Sequence, residues 1–215
     1  MTGYPLTLVG LDAARCVVVG GGAVAARKVA GLRQAGAKPI VISPTLCPEL
    51  EAQAAQGEVE VVRRPYRQGD LTGARLVIAA TDDPAVNEAV CREAQAVGCL
   101  INVVDDPAHC SFFVPAVVRR GALTIAVSTG GKSPALARRI RQQLESLFDP
   151  AYGPLLDLLS RMRPTVQAAV SDPRRRATFW ERLLDSDTLD RLRAGDEAGA
   201  IAQAEALLRE IRETK

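Results

Sequence analysis

A short apolar run, Cys16-Val-Val-Val19, meets three consecutive glycines and opens directly into a helical pattern, and this junction constrains the fold more than any other stretch. The spacing Gly20-x-Gly22-x-x-Ala25 matches the G-x-G-x-x-G/A fingerprint of dinucleotide folds. Gly20 allows the tight turn, Gly22 lets the backbone approach a pyrophosphate, and Ala25 permits close helix–strand packing. Free N–H groups at the start of the helix then face the phosphates. Val24, Val29, Leu32 and Ala35 continue at roughly helical spacing, so a strand precedes the glycines and a helix follows them.

Composition narrows the class. A chain of 215 residues, 47% of them hydrophobic, can bury a sizeable core in one domain with an appendage. A net charge of +2 and 4% aromatic residues, with arginine clusters scattered along the chain, argue against a nucleic-acid partner. No apolar run approaches the ~18 residues of a membrane span. The N-terminus, Met-Thr-Gly-Tyr-Pro, lacks a basic region followed by a long apolar stretch, so a cytoplasmic protein is expected. The five cysteines form no C-x-x-C pair and read as reduced thiols. The single histidine, His109, has one near thiol, Cys110, and no resident metal is expected.

From the start to residue 112, strand-like runs at residues 16–19, 39–42, 59–62, 76–80 and 100–104 alternate with helical stretches. A further strand is expected at residues 6–9, joined through a turn at residues 12–15. This alternation predicts an α/β fold with a Rossmann-like parallel sheet. Ligands of such sheets sit beyond the carboxyl ends of the strands, which selects residues 20–24, 43–45, 81–83 and 102–106 as one rim. After residue 112, two β-type runs at residues 113–118 and 123–127 flank a turn at Arg119-Arg120-Gly121, and a helix follows over residues 135–148. Ser133 is its expected N-cap and Pro134 its first residue. Residues 113–148 are too few to stand alone and read as a small α+β dimerisation segment. Residues 149–215 read as a helical C-terminal domain of three or four helices, broken at Pro164, Pro173 and Gly195, with Trp180 as an aromatic anchor.

The rim residues carry the chemistry. The second strand ends without the acid that usually holds a ribose hydroxyl; Ser43, Thr45 or backbone groups take its place, and NAD is favoured over NADP. Asp105 and Asp106 close the fifth strand, and an extended backbone turns only one of them toward a cleft. A carboxylate beside a nicotinamide can act as a base or orient a substrate N–H. Asp83 is sufficiently explained as a helix cap, whereas Thr81 is a cofactor-contact candidate. His109 reads as an ordinary loop residue without an evident orienting partner. The stretch Ser128-Thr129-Gly-Gly-Lys132-Ser133 either cradles an anion at a helix N-terminus or is a plain strand-to-helix turn. No Tyr-x-x-x-Lys dyad follows any tyrosine, which removes the commonest small dehydrogenases of this size.

In order, Val19-Gly-Gly-Gly-Ala-Val-Ala-Ala-Arg-Lys28, Ala79-Ala-Thr-Asp-Asp83, Asn102-Val-Val-Asp105, Ser111-Phe-Phe-Val-Pro115 and Ala126-Val-Ser-Thr-Gly-Gly-Lys-Ser-Pro134 resemble the precorrin-2 dehydrogenases of sirohaem biosynthesis. The resemblance spans residues 3–150 and is similar to both the stand-alone enzymes and the first module of the fused sirohaem synthases. The chain is too short for the fused methyltransferase module. What the resemblance implies is NAD-dependent oxidation of precorrin-2 to sirohydrochlorin in a homodimer. It carries the catalytic aspartate onto Asp105, cofactor contacts onto Ala23-Val24 and Pro44-Thr45, and a serine-rich loop onto Ser128-Thr129. That loop has threonine where some members have serine, so regulation relying on serine there is in doubt. A polycarboxylate tetrapyrrole suits a cleft bordered by some of Arg119, Arg120, Lys132, Arg138 and Arg139. Some relatives also insert iron or cobalt, which leaves a bifunctional enzyme as the alternative; an NAD-sensing module without turnover is the reading from another class.

Overall fold

A computed structural model describes residues 3–213; Met1 and Thr2, the first residues of the segment read for a leader, lie outside the described residues. Two compact units make up the chain, residues 1–114 and 115–215.

The first unit is a five-stranded parallel sheet, β1 (Cys16–Val19), β2 (Pro39–Ile42), β3 (Glu60–Val62), β4 (Leu76–Ala79) and β5 (Leu100–Val103), in the order β3-β2-β1-β4-β5. Helices α1 (Ala23–Gln34), α2 (Pro48–Ala55) and α3 (Pro84–Val97) connect the strands. Every residue of β1 and β4 is buried, as expected when helices cover both faces of a parallel sheet. Alternation divides them: Cys16 and Val18 pack with Val29 and Leu32 of α1 on one face, Val17 and Val19 with Val90 and Ala94 of α3 on the other. Asp83 caps α3 through Ala85 N–H, and Pro84 occupies the first helical position, as the sequence predicts.

The strand expected at residues 6–9 does not form. β1 already has β2 and β4 as neighbours, so no slot remains beside it, and Leu6 and Val9 stay 69% and 71% exposed. The Arg75 guanidinium instead holds this segment by its Val9 and Gly10 carbonyls.

A buried carboxylate pins the long connection from β3 to β4. Glu93 of α3 accepts hydrogen bonds from Tyr66 Oη–H, Gly69 N–H and Leu71 N–H, and burial together with this carboxylate pushes the Tyr66 phenol up. Glu93→Ala leaves three donors without their acceptor and is expected to cost about 3 kcal/mol. Urea unfolding tests this, and a loss below about 1 kcal/mol would contradict the account.

The second unit begins with an antiparallel hairpin, β6 (Ala116–Arg120) and β7 (Leu123–Val127), followed by α4 (Pro134–Leu147). Sequence expectation placed the first strand earlier and put Arg119 and Arg120 in the turn. In the structure Pro115 precedes the strand, both arginines pair in it, opposite Thr124 and Leu123, and the turn falls at Gly121, whose φ is +57°. Arg120 then reaches back to the Glu145 and Phe148 carbonyls at the end of α4. Ser133 caps α4 by accepting from Leu136 N–H, with Pro134 at the first position.

Helices α5 (Tyr152–Ala169), α6 (Pro173–Leu184), α7 (Thr188–Arg193) and α8 (Glu197–Glu213) enclose a core of Leu155, Leu158, Met162, Val166, Phe179, Leu183 and Leu208. Trp180 packs against this core edge-on to Phe179. Pro164 lies inside α5 rather than ending it. The buried stripe Leu155, Leu158, Met162, Val166 runs past the proline, and burying Met162 and Val166 offsets the backbone hydrogen bond it removes. Among the described residues no helix is long and apolar enough to cross a membrane.

Candidate active site

The strand order reverses between β1 and β4, and the turn leaving β1 sits at that reversal. Each of its three glycines answers to a different neighbour. Gly20 has φ +121°, and a Cβ there would lie 2.2 Å from the Ala80 carbonyl oxygen at the end of β4. A Cβ on Gly21 would lie 2.0 Å from the Thr45 carbonyl oxygen and 2.7 Å from Ser43 Oγ. Around Gly22 a Cβ would meet nothing within 4 Å. Gly20 and Gly21 are therefore demanded by the protein's own backbone, and Gly22 stands at open space. Gly22 is also the N-cap of α1 and has no side chain to offer the helix's first N–H groups, which leaves them for an anion. Ala23 and Val24 form the first turn of that helix.

The loop after β2 closes the other side. Ser43 is buried, its hydroxyl donates to the Thr45 carbonyl at 2.7 Å, and Cys47 N–H donates to the Gly21 carbonyl at 2.7 Å. Pro44 and Thr45 remain exposed. Thr81, after β4, turns its hydroxyl into its own loop, bonding Asn87 Oδ1 at 2.9 Å and accepting from Asp83 N–H. Gly20, Gly22, Ala23, Val24, Ser43, Pro44, Thr45, Thr81 and Asp105 thus all stand at carboxyl ends of strands in the first unit. Ser128, Thr129 and Lys132 lie on the connection from β7 to α4 in the second unit, where Thr129 Oγ1 accepts from Ser133 N–H.

Asp105 and Asp106 do not continue an extended strand. β5 ends at Val103, the chain turns with Asp106 N–H directed at the Val103 carbonyl, and Asp105 adopts φ +58°. It is the one non-glycine residue with positive φ among those described, and its side chain is exposed. A left-handed aspartate is uncommon and costs about 1 kcal/mol or more, a strain of the kind found where chemistry sets the conformation.

The turn also gives His109 the partner that the sequence did not reveal. A short 3-10 helix (Pro107–His109) brings its Nδ1 to 2.5 Å from Asp106 Oδ2, and this hydrogen bond holds the Asp106 carboxyl below the usual range. One turn of 3-10 helix places residues i and i+3 side by side, so the Asp-x-x-His spacing was the available signal.

A second group missed at the sequence level is Lys28 of α1, whose Nζ lies 3.4 Å from Asn102 Oδ1 on β5. Asn102 is buried and donates to the Phe112 carbonyl at 3.1 Å and to Cys110 Sγ at 3.4 Å. Every cysteine is free.

The doubly wound sheet and the glycine turn at its switch point define a dinucleotide-binding protein. Family models agree, matching a putative NAD(P)-binding region at residues 8–116, a sirohaem biosynthesis central region at 120–147 and a sirohaem synthase dimerisation region at 151–208. The chain belongs to this sirohaem synthase N-terminal, NAD(P)-binding family. It is 43% identical over 194 residues to the siroheme synthase of Nitrosococcus oceani, covering 90% of this chain and 42% of that one. It is 45% identical over 194 residues to that of Pseudomonas aeruginosa, covering 90% of this chain and 41% of that one. The chain therefore spans about two fifths of the length of the curated relatives it matches. Among solved structures it is similar to SirC, a precorrin-2 dehydrogenase, with TM-score 0.76 and 28% identity over 98% of this chain and all of that one.

Proposed function

We propose that this chain oxidises precorrin-2 to sirohydrochlorin with NAD, as a homodimer. The observation that carries the reading is the presence, on the carboxyl-end rim of one parallel sheet, of an anion cradle open at Gly22 at the switch point and a left-handed, exposed Asp105 after the edge strand β5. The likeness to SirC along the whole chain supports the substrate, and the dimerisation-region match supports the assembly. The proposed division of labour is cofactor binding in residues 1–112, a dimerisation segment at 113–148, and a helical domain in 149–215 that, through the dimerisation-region match at 151–208, shares in the assembly.

The residues present fit the cofactor. Gly22, Ala23 and Val24 would hold the pyrophosphate on backbone N–H groups at the start of α1, and the exposed Pro44 and Thr45 would take the ribose. When bound, NAD supplies the acceptor for the hydride leaving a ring carbon of the tetrapyrrole. Asp105 takes or orients the proton lost with it, and the protein otherwise supplies orientation and electrostatics. Ser128, Thr129 and Lys132 bind substrate carboxylates.

NAD is preferred over NADP. The two arginines directly after β3 are already engaged, Arg63 with Glu51 and Arg64 with Asp70, which disfavours them as partners of a 2′-phosphate. The five free thiols suit a reducing compartment, the cytoplasm.

Anaerobic turnover of precorrin-2, followed by absorbance with NAD and then with NADP, tests the activity. We expect NAD reduction at least about tenfold more efficient than NADP reduction, a difference of one charged contact. Light scattering should give twice the 22.9 kDa chain mass. No NAD reduction by the intact protein would discard the oxidoreductase in favour of a nucleotide sensor.

A further inference from the structure

We propose that the groove between α5 and α6 is the seat of a second copy of this chain, with Trp180 as its anchor and the same face of the partner lying over it. The inference rests on the homodimer reading and is independent of the chemistry at Asp105.

Both walls belong to the second unit. Helix α5 contributes Leu156, Leu159, Ser160 and Arg163, α6 contributes Trp180 and Leu184, and the groove between them holds about 570 Å³. Leu159 and Trp180 are only partly covered by the domain core, and Leu184 is 53% exposed. A lone chain thus leaves this apolar surface in water, a cost that a covering protein face removes. The polar groups of the groove are equally incomplete. Arg163 makes no ion pair, and the Trp180 indole N–H meets no acceptor, among the described residues. Pro164 has no N–H to give the Ser160 carbonyl one turn back in α5.

An occupant must therefore bring acceptors for Arg163 and Trp180, a donor for Ser160 and apolar surface between them. A folded protein face offers that mixture, whereas a polyanionic small molecule lacks the donors. The dimerisation-region match at residues 151–208 takes in both helices and points to a copy of this chain as that face. Charge supports self-association. Asp157, Glu181 and Asp185 each stand one residue along from a lining residue, are exposed, and make no ion pair among the described residues. In a two-fold arrangement a contact from Arg163 to one of these carboxylates is made twice, once in each direction. Tryptophan and arginine are the residue types that anchor interfaces once water is excluded around them.

The test reads mass together with the fluorescence of Trp180, the single tryptophan of the chain. Arg163→Glu and Leu184→Glu change exposed side chains, so each should keep the native circular dichroism spectrum. A two-fold interface carries every substitution twice, so a tenfold effect per site becomes about a hundredfold rise in the dimer dissociation constant. Acrylamide should quench Trp180 in the native dimer less than about half as strongly as in either variant diluted to monomer, because the partner covers the indole. Variants that dimerise within about threefold of native would place the contact elsewhere and overturn the groove, leaving the homodimer standing. So would a Trp180 whose quenching is the same in native dimer and variant monomer. Added sirohydrochlorin that quenches Trp180 in the native protein but not in Arg163→Glu, with the dimer unchanged in both, would make the groove a tetrapyrrole site instead. A native chain that stays at 22.9 kDa would remove the homodimer and the groove together, with the dehydrogenase still judged by its turnover.

Discussion

Asp105→Asn is expected to lower kcat for precorrin-2 oxidation about a thousandfold, within the usual range for loss of a proton-transferring group, while NAD affinity changes less than about twofold. Asparagine is the informative replacement because the backbone at this position has φ +58°, which asparagine tolerates better than alanine does. The side chain keeps its shape and loses only the ability to take a proton. Alanine would add conformational strain to the chemical defect and blur the two. Anaerobic steady-state rates together with an NAD titration of the same protein check the result. Retention of more than about a tenth of the native kcat would remove Asp105 from the chemistry and leave its strained turn without a functional reason.

The second large effect divides three adjacent glycines by what each faces. Gly21→Ala places a methyl group 2.0 Å from the Thr45 carbonyl oxygen, and Gly20→Ala places one 2.2 Å from the Ala80 carbonyl oxygen at a left-handed φ. Both obstacles are backbone, so the β1–α1 turn or a neighbouring loop must move; we expect losses of about 3 kcal/mol or more and no measurable NAD binding. Gly22→Ala meets no protein atom within 4 Å and has an ordinary backbone conformation. Its stability should stay within about 0.5 kcal/mol of native. Its NAD dissociation constant should nevertheless rise at least about tenfold, since the methyl group occupies the space where a phosphate approaches the helix N-terminus. Unfolding midpoints and calorimetric titration of the three variants decide the matter. Equal destabilisation by all three would mean the turn is merely tight; unchanged NAD affinity in Gly22→Ala would place the nucleotide elsewhere.

Periodicity in the sequence located β1, β2 and β7 at the residues where they form: β1 and β2 are continuous apolar runs, and β7 alternates about Thr124 as a strand with one covered face does. The caps at Asp83 and Ser133 were equally local and equally legible. Residues 6–9 misled for a reason no local pattern holds: whether an apolar run becomes a strand depends on a free sheet edge, and β1 had none to give. Pro164 misled in the opposite sense, since burial of Met162 and Val166 on either side outweighed a local helix breaker. Gly21 is the unspecified position of the fingerprint, and its requirement comes from Thr45, which lies twenty-four residues further along the chain.

The sequence by itself determined the strand–glycine–helix junction, the caps and the chemical identity of the rim, because these depend on neighbours within a few residues. Tertiary structure alone decided which glycine is open to a ligand, that Asp105 leaves the strand in a left-handed turn, and that Lys28 reaches Asn102 across 74 positions of sequence. Steric fit, strain and charge pairing between distant segments exist only once the sheet order has set those segments side by side.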